Sequence, residues 1–241
     1  MSRENKDLTE KKEEQFQWCF SILKNGTLEE CYEIIPHLSI LRDNRFLPLL
    51  ESFLESENER VREMAICAIS AIGTENALEI LINRFEEEYL LGNVDLQILI
   101  IDGVGEIGFE KGGFDFLVGA FNKRYKDEKS GRKIRVSVID ALGSMGQQGS
   151  KKAIDFLVKL LDHEDGIIRA NSITSITTAY WNRPNEIPEE IFSKLISKFD
   201  DPNYFVVYSL ISAIENLADI GCEMAKGIFP EEYWVDESDF E

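Results

Sequence analysis

The chain has 241 residues, of which 44% are hydrophobic and 29% are charged, so it has enough apolar side chains to form a core. Its 45 acidic residues outnumber its 26 basic residues, which gives a net charge of −19 and a pI near 4.6. A surface of this sign repels phosphate backbones and attracts basic proteins, so we expect a protein partner and no nucleic acid.

The first fifteen residues are polar and charged throughout and lack the apolar stretch of a secretory signal. No apolar run reaches the roughly 18 residues that a membrane-spanning helix needs. Two histidines, and four cysteines without CxxC spacing, do not suggest a metal site. We therefore expect a cytoplasmic protein without metal or cofactor, whose reduced cysteines are mostly buried among apolar neighbours.

An amphipathic helix is predicted within residues 1–26. Its apolar side chains lie three or four residues apart and so share one face of a helix: Phe16, Cys19, Phe20 and Leu23. An apolar face at this position favours a capping helix that covers the first hairpin of the region that follows.

A helical hairpin is predicted from Val61 onward. Apolar residues at helical spacing run from Val61 to Ile72, and Gly73 then ends the helix as a C-cap glycine does. A second helix places its own apolar residues on one face: Leu78, Leu81, Ile82 and Phe85.

The same two-helix phrase recurs along the chain. First helices begin at residues 61, 96, 134, 168 and 206, at intervals of 35, 38, 34 and 38 residues. A degenerate earlier copy runs from Glu30 to Leu41, and its second helix is FLPLLESFL. A period in the thirties is typical of two-helix repeat arrays. The sequence therefore predicts an all-α protein, an α-solenoid of about six helical hairpins.

The first helices resemble HEAT-like repeats of the type named after phycobilin lyases. The Val-Arg position of that repeat is matched at 61–62, 134–135 and 168–169, and its Asp-Pro turn at 201–202. Val207 replaces the arginine in the last copy, and the copy at Leu96 lacks both the proline and the arginine. The resemblance implies a solenoid over residues 27–229, between a capping helix at 1–26 and an acidic tail at 230–241.

A GxGxxG pattern follows the apolar run at 98–101 and is formed by Gly103, Gly105 and Gly108. In a dinucleotide-binding fold such glycines let a pyrophosphate approach a helix N-terminus. Here a further glycine pair falls where that helix would continue, and the segment aligns with the next repeat, Gly105 on Gly143 and Gly108 on Gly146. We interpret these glycines as small residues at helix crossings and C-caps.

Catalytic residues are not evident in the sequence. His37 falls in the degenerate hairpin, and His163 lies in the acidic turn DHED. Two enzyme groups resemble this architecture, alkylpurine DNA glycosylases and bilin lyases, and they provide the alternative function. Trp181 and several aspartates fit the first group, whereas the negative charge opposes it. The second rests on similarity of the repeat alone.

Basic side chains are concentrated in residues 123–152, which contain nine basic and three acidic residues. We interpret the stretch RYKDEKSGRK within it as a long solvated loop between the third and fourth hairpins. The alternative is a contact point for an acidic patch or a phosphate.

Partner-binding residues are predicted on the second helices, which line the concave face of such arrays. In the helix 75–90, Glu79, Asn83 and Glu86 form one polar stripe; Asp155, Asp162 and Glu190 are the corresponding residues of later hairpins. A row of carboxylates is suited to binding Lys and Arg side chains, although any amphipathic helix carries a charged stripe. Tyr233 and Trp234, in the acidic tail, are a further predicted contact.

The function predicted from these features is non-catalytic protein binding by a chain that is monomeric alone. Small acidic proteins with HEAT-like repeats resemble bacterial immunity proteins, which neutralise a toxin by masking its active site. That resemblance implies a nuclease-type toxin with a basic surface as the partner, since an acidic inhibitor competes with the negatively charged substrate.

Overall fold

The structure is a computed structural model that describes residues 3–108 and 112–228, with side chains from residue 10 onward. All regular elements in these residues are helical. The chain divides into two compact units, Met1–Ser137 and Val138–Glu241. The predicted tail, with Tyr233 and Trp234, lies outside the described residues.

The helices of the first unit are α1 (Arg3–Asn25), α2 (Leu28–Glu33), α3 (Ile35–Leu41), α4 (Leu47–Leu54), α5 (Glu59–Ile72), α6 (Glu75–Leu91), α7 (Val94–Ile107) and α8 (Gly113–Asn122). Helix α9 (Glu128–Gln147) passes from the first unit into the second. The second unit continues with α10 (Lys151–Leu160), α11 (Gly166–Ala179), α12 (Glu189–Ile196), α13 (Tyr204–Asp219) and α14 (Glu223–Lys226).

These helices confirm the predicted all-α repeat architecture. The five predicted first-helix starts fall in α5, α7, α9, α11 and α13, and each of these is followed by a second helix. First helices of neighbouring hairpins pack against each other, α5 on α7 in the first unit and α11 on α13 in the second. Each hairpin can therefore bury its apolar face only against its neighbours, as repeat arrays do.

Helix boundaries follow from capping residues in the sequence. Asn58, Thr74 and Asn93 each precede a helix and accept a hydrogen bond from a backbone N–H of its first turn. Gly73 and Gly92 end α5 and α6 with φ of 60° and 75°, in the left-handed region that favours glycine. The predicted C-cap at Gly73 is therefore confirmed.

The core of each unit consists of the apolar positions that define the repeat. Fully buried examples are Ile69, Leu81 and Ile100 in the first unit, and Leu157, Ile173 and Leu210 in the second. All four cysteines are free thiols, and Cys19, Cys31 and Cys222 are buried as predicted, whereas Cys67 is partly exposed.

Two local predictions are corrected. The first hairpin's opening helix is broken into α2 and α3 at Ile34, because Pro36 has no backbone N–H to continue α2. The predicted long loop within RYKDEKSGRK is wrong, since α9 already begins at Glu128. Asp127 accepts hydrogen bonds from the backbone N–H and the hydroxyl of Ser130, and this cap starts the helix there.

The GxGxxG glycines lie in or at the end of α7, which has no preceding strand and is not a nucleotide-binding turn. A Cβ placed on Gly103 would lie 2.1 Å from Ser70 Oγ and 2.9 Å from Ser70 Cβ. Gly108, with φ of 112°, is the C-cap of α7. Glycine at position 103 is therefore required by the close approach of α7 to α5, and the predicted role is confirmed.

We expect Gly103→Ala to lower the free energy of unfolding by about 1–3 kcal/mol, because α7 must move away from α5. Thermal denaturation followed by circular dichroism measures this change. Gly119→Ala is the matched control: nothing lies within 4 Å of its Cβ, so the exposed helical alanine is expected to stabilise by up to about 1 kcal/mol. Equal effects of the two substitutions would contradict the crossing assignment.

The arginines of two Val-Arg motifs, Arg62 and Arg169, tie the turn before their helix to a more distant carboxylate, whereas Arg135 donates to the carbonyl of Phe121. Arg169 donates to the carbonyls of His163 and Glu164 in the turn before its own helix, at 2.7 and 3.0 Å. It also forms two bonds to Asp201, at 2.8 and 2.7 Å, and the Asp201 side chain is only 5% exposed. The guanidinium hydrogen bonds lower the pKa of Asp201 below its usual value.

Arg169→Met is expected to lower the free energy of unfolding by about 3 kcal/mol, because it leaves a buried carboxylate and two turn carbonyls without their donor. Because the pKa of Asp201 is lowered by folding, this stabilisation is complete above a pH of about 4 and is lost as the pH falls further. Urea denaturation at pH 7 and at pH 3 measures both effects.

The control for that experiment is Lys226→Met, which removes an exposed ion pair with Glu223 in the same unit. It is expected to cost less than about 1 kcal/mol at either pH. The assignment fails if the two methionine variants unfold at the same urea concentration.

Candidate functional site

The predicted polar stripe on α6 is exposed to solvent. Glu79, Asn83 and Glu86 are all exposed and lie four and three residues apart on one face. Glu86, however, binds Lys123 at 2.7 Å, and the Lys123 ammonium also lies 4.2 Å from the centre of the Tyr89 ring. One of the two carboxylates of this stripe is therefore neutralised within the chain.

The corresponding residues of the second unit show the same division. Asp155 and Glu190 are exposed, and no Lys or Arg among the described side chains forms an ion pair with either. Asp162 is held between Lys194 and Lys198, each at 2.8 Å. Hydrogen bonds from these two ammonium groups lower its pKa to about 2. Asp162 thus joins two parts of the unit and is less available to a partner.

A second group of carboxylates, absent from the sequence-based prediction, lies on first helices of the first unit. Glu63 on α5 and Glu106 on α7 are both exposed, and no described Lys or Arg pairs with them. Burial raises the pKa of the Cys67 thiol, and the negative charges of Glu63 and Glu106 raise it further, so all three groups are close together. Asp102 accepts a hydrogen bond from Ser137 Oγ at 2.8 Å beside this group.

The second unit has an exposed aromatic patch, formed by Trp181 after α11 and three residues of α13. The exposed fractions are 47% for Trp181, 74% for Tyr204, 65% for Phe205 and 60% for Tyr208. The ring centres of Phe205 and Tyr208 each lie 6.2 Å from that of Tyr204. The sequence contained the signal: Val206 and Leu210 are the buried positions of this repeat, which leaves the neighbouring rings facing outward.

A cavity of about 170 Å³ lies at the edge of the aromatic patch, between α11 and α13; we call it the Trp181 pocket. Trp181 and Tyr208 form part of its wall, and most other lining groups are hydroxyls or an amide: Thr174, Thr178, Ser209, Ser212 and Asn216. No charged residue lines it. The pocket therefore combines aromatic faces with uncharged hydrogen-bonding groups.

The basic segment contributes to a smaller cavity in the first unit. Tyr89, Gln97, Tyr125 and Lys126 line about 140 Å³ there. Burial raises the pKa of Tyr125, whose hydroxyl donates to the carbonyl of Ala120 at 2.8 Å. Tyr89 donates to the carbonyl of Arg124 at 2.7 Å. These bonds tie the segment before α9 onto α6 and α8, and give it a structural role.

Neither histidine is placed as a catalytic base. His37 Nδ1 lies 3.1 Å from the Gln15 amide, and its ring meets Trp18 edge to face. His163 Nδ1 accepts from the backbone N–H of Asp165 within its turn.

Within the described side chains, no group of three His, Cys, Asp or Glu residues could hold a metal ion. No helix in the described ranges is long and apolar enough to cross a membrane.

Two of the hairpins match the model of a known repeat family. The profile of the PBS lyase HEAT-like repeat family matches residues 61–87 and 134–163, which correspond to the hairpins α5–α6 and α9–α10. Two hairpins of this chain therefore match the PBS lyase HEAT-like repeat. Arg62 and the crossing glycine Gly143 lie within the matched segments, whereas Arg169 and Gly103 lie outside them.

The chain is also distantly similar to part of a much longer plant protein. The chain is 22% identical over 193 residues to the Cullin-associated NEDD8-dissociated protein 1 of Arabidopsis thaliana. The match covers 76% of this chain but only 16% of the length of that protein, so it concerns a short part of a much longer relative.

Two solved structures are similar at low level. Human deoxyhypusine hydroxylase in complex with glycerol is 16% identical, with 84% of each chain covered and a TM-score of 0.39. A designed armadillo repeat protein is 19% identical, with 89% of this chain and 93% of that chain covered and a TM-score of 0.35. Likenesses this distant support no argument about activity.

Proposed function

We propose that this HEAT-like repeat protein is a protein-binding module whose partner has a basic surface. The observation that carries the proposal is the aromatic patch of the second unit, where Trp181, Tyr204, Phe205 and Tyr208 are all about half exposed or more. Scattered apolar residues are normal on protein surfaces, whereas adjacent exposed Trp and Tyr residues are characteristic of the centres of protein interfaces.

The sign of the charge favours a basic partner. The net charge of −19 attracts a basic protein and accelerates its association. Within the surface, the carboxylates that form no ion pair with a described side chain are the better candidates for contact: Glu79, Asp155 and Glu190 on second helices, and Glu63 and Glu106 on first helices. Glu86 and Asp162 support the fold through Lys123, Lys194 and Lys198.

In its most specific form, the proposal is that the chain neutralises a basic nuclease-type toxin without catalysing a reaction. An acidic surface that covers the active site of such an enzyme competes directly with the phosphate backbone of its substrate. The acidity of the chain supports this form; a gene for a larger protein with a basic C-terminal domain beside the gene of this chain would support it further.

The two groups of carboxylates can be separated by charge reversal. Glu79→Lys with Asp155→Lys, and Glu63→Lys with Glu106→Lys, change the net charge by the same amount. A partner is first isolated by affinity purification with the full chain and identified by mass spectrometry. We expect the first pair to weaken its binding at least tenfold, because cations then face a basic surface, and the second pair to have a smaller effect. Surface plasmon resonance at physiological salt measures both.

The outcome tests the predicted second-helix surface directly. A tenfold loss only with the Glu63 and Glu106 pair would move the interface to the first helices. Equal small losses with both pairs would show that net charge alone matters and would refute a defined acidic site. Circular dichroism checks that both variants keep their helical content, and Trp181→Ala tests the aromatic patch in the same assay.

A further inference from the structure

We propose that the Trp181 pocket binds an arginine side chain of the protein partner, stacked on the aromatic faces of Trp181 and Tyr208. The inference rests on the proposed protein-binding function and specifies the partner's chemistry at one site. It is separable from the charge-reversal experiment, because it concerns uncharged residues of α11 and α13.

The size of the pocket suits one side chain. Its volume of about 170 Å³ is close to that of an engineered protein cavity of about 150 Å³ that accommodates a benzene molecule. It opens beside exposed rings, so a side chain can enter from a bound partner and remain attached to a surface segment. A whole small domain or a folded helix does not fit a space of this size.

The lining suits a planar cation with an apolar stem. A guanidinium is attracted to the faces of Trp and Tyr rings, and Trp is the strongest of these partners. Around the rings, the hydroxyls of Thr174, Thr178 and Ser212 and the amide oxygen of Asn216 are potential acceptors for its N–H groups. Ala213 and Leu217 supply apolar surface for the methylene stem.

The local charge also favours a cation. Residues 138–228 contain thirteen acidic and eight basic residues. On the two helices that line the pocket, the single basic residue is Arg169, which is already bonded to Asp201. Helix α13 ends with Glu215 and Asp219 and carries no basic residue. An arriving arginine therefore meets a negative field and no competing cation on these helices.

Arginine is preferred to lysine by the geometry of the lining. The guanidinium is planar, stacks on an aromatic face and is weakly hydrated, whereas the compact ammonium retains its water more strongly. Without a carboxylate in the wall, a point charge gains little from entering. An uncharged apolar anchor is the competing occupant, and the test below includes it.

The test uses the full chain labelled with nitrogen-15 and four short blocked peptides of the form acetyl-Gly-X-Gly-amide. X is arginine, lysine, citrulline or norleucine. The indole N–H signal of Trp181, identified by its loss in Trp181→Ala, is followed during titration. We expect millimolar binding of the arginine peptide, and binding about tenfold weaker for citrulline, which keeps the shape of arginine but has no charge.

Two substitutions locate the site. Trp181→Ala and Tyr208→Ala are each expected to weaken arginine-peptide binding at least fivefold, and both residues are exposed enough for the fold to tolerate the change. Trp18→Ala is the matched control, since Trp18 is 48% exposed against 47% for Trp181 but lies in the first unit. It is expected to leave binding unchanged.

Each other outcome overturns the inference. Norleucine binding as tightly as arginine would identify an apolar pocket, and equal binding of citrulline would exclude a role for the charge. An arginine peptide that moves no Trp181 signal at 50 mM, about fifty times a dissociation constant of about 1 mM, would exclude the site. If the isolated partner binds Trp181→Ala normally, this inference fails while protein binding by the chain stands. If the arginine peptide binds but the full chain captures no protein partner, the proposed function fails as well, and only an affinity of the pocket for free arginine remains.

Discussion

The arginine of the Val-Arg motif, at Arg62 and Arg169, is the interaction on which the turns before α5 and α11 depend. In both cases one planar side chain binds carbonyls of the turn before its helix and a carboxylate 26 to 32 residues further along the chain. In the first unit, Arg62 bonds to the carbonyl of Ser56 and to Glu88, whose side chain is fully buried and also binds Arg84. Local turn and long-range packing are thereby formed together, because the same guanidinium serves both the turn carbonyls and the buried carboxylate.

The fold was predictable because its signals are periodic and local. Capping residues such as Asn58 and Gly73, and apolar positions repeated every 34 to 38 residues, determine where helices begin, end and bury their faces. The two incorrect predictions, at the first hairpin and at the loop before α9, depend instead on local contacts. The break at Pro36 depends on one missing backbone donor, and the cap at Asp127 depends on two local hydrogen bonds from Ser130; a repeat pattern shows neither.

The candidate site was predictable only in part, because sequence gives the position of a charge on a helix but not its partner in space. Glu79 and Glu86 lie on the same face of α6, yet only Glu86 is neutralised, by Lys123, which lies 37 residues further along the chain. The two lysines that bind Asp162 are likewise 32 and 36 residues away from it. The aromatic patch follows from the repeat register once Val206 and Leu210 are known to be buried, because the neighbouring rings must then face outward.

The close glycine crossings also explain which parts of the chain are free to change in length. At Gly103 and, in the second unit, at Gly143, a Cβ would lie 2.9 Å or less from a serine side chain of the neighbouring first helix, so neither position accepts a larger residue without moving the helices apart. The intervals between first helices nevertheless range from 34 to 38 residues, and the difference is taken up by the connections. A change in length is therefore expected in the connections and not in the first helices, and within 123–127 and 180–188 it must spare the residues that bond to neighbouring helices, such as Tyr125 and Asn185.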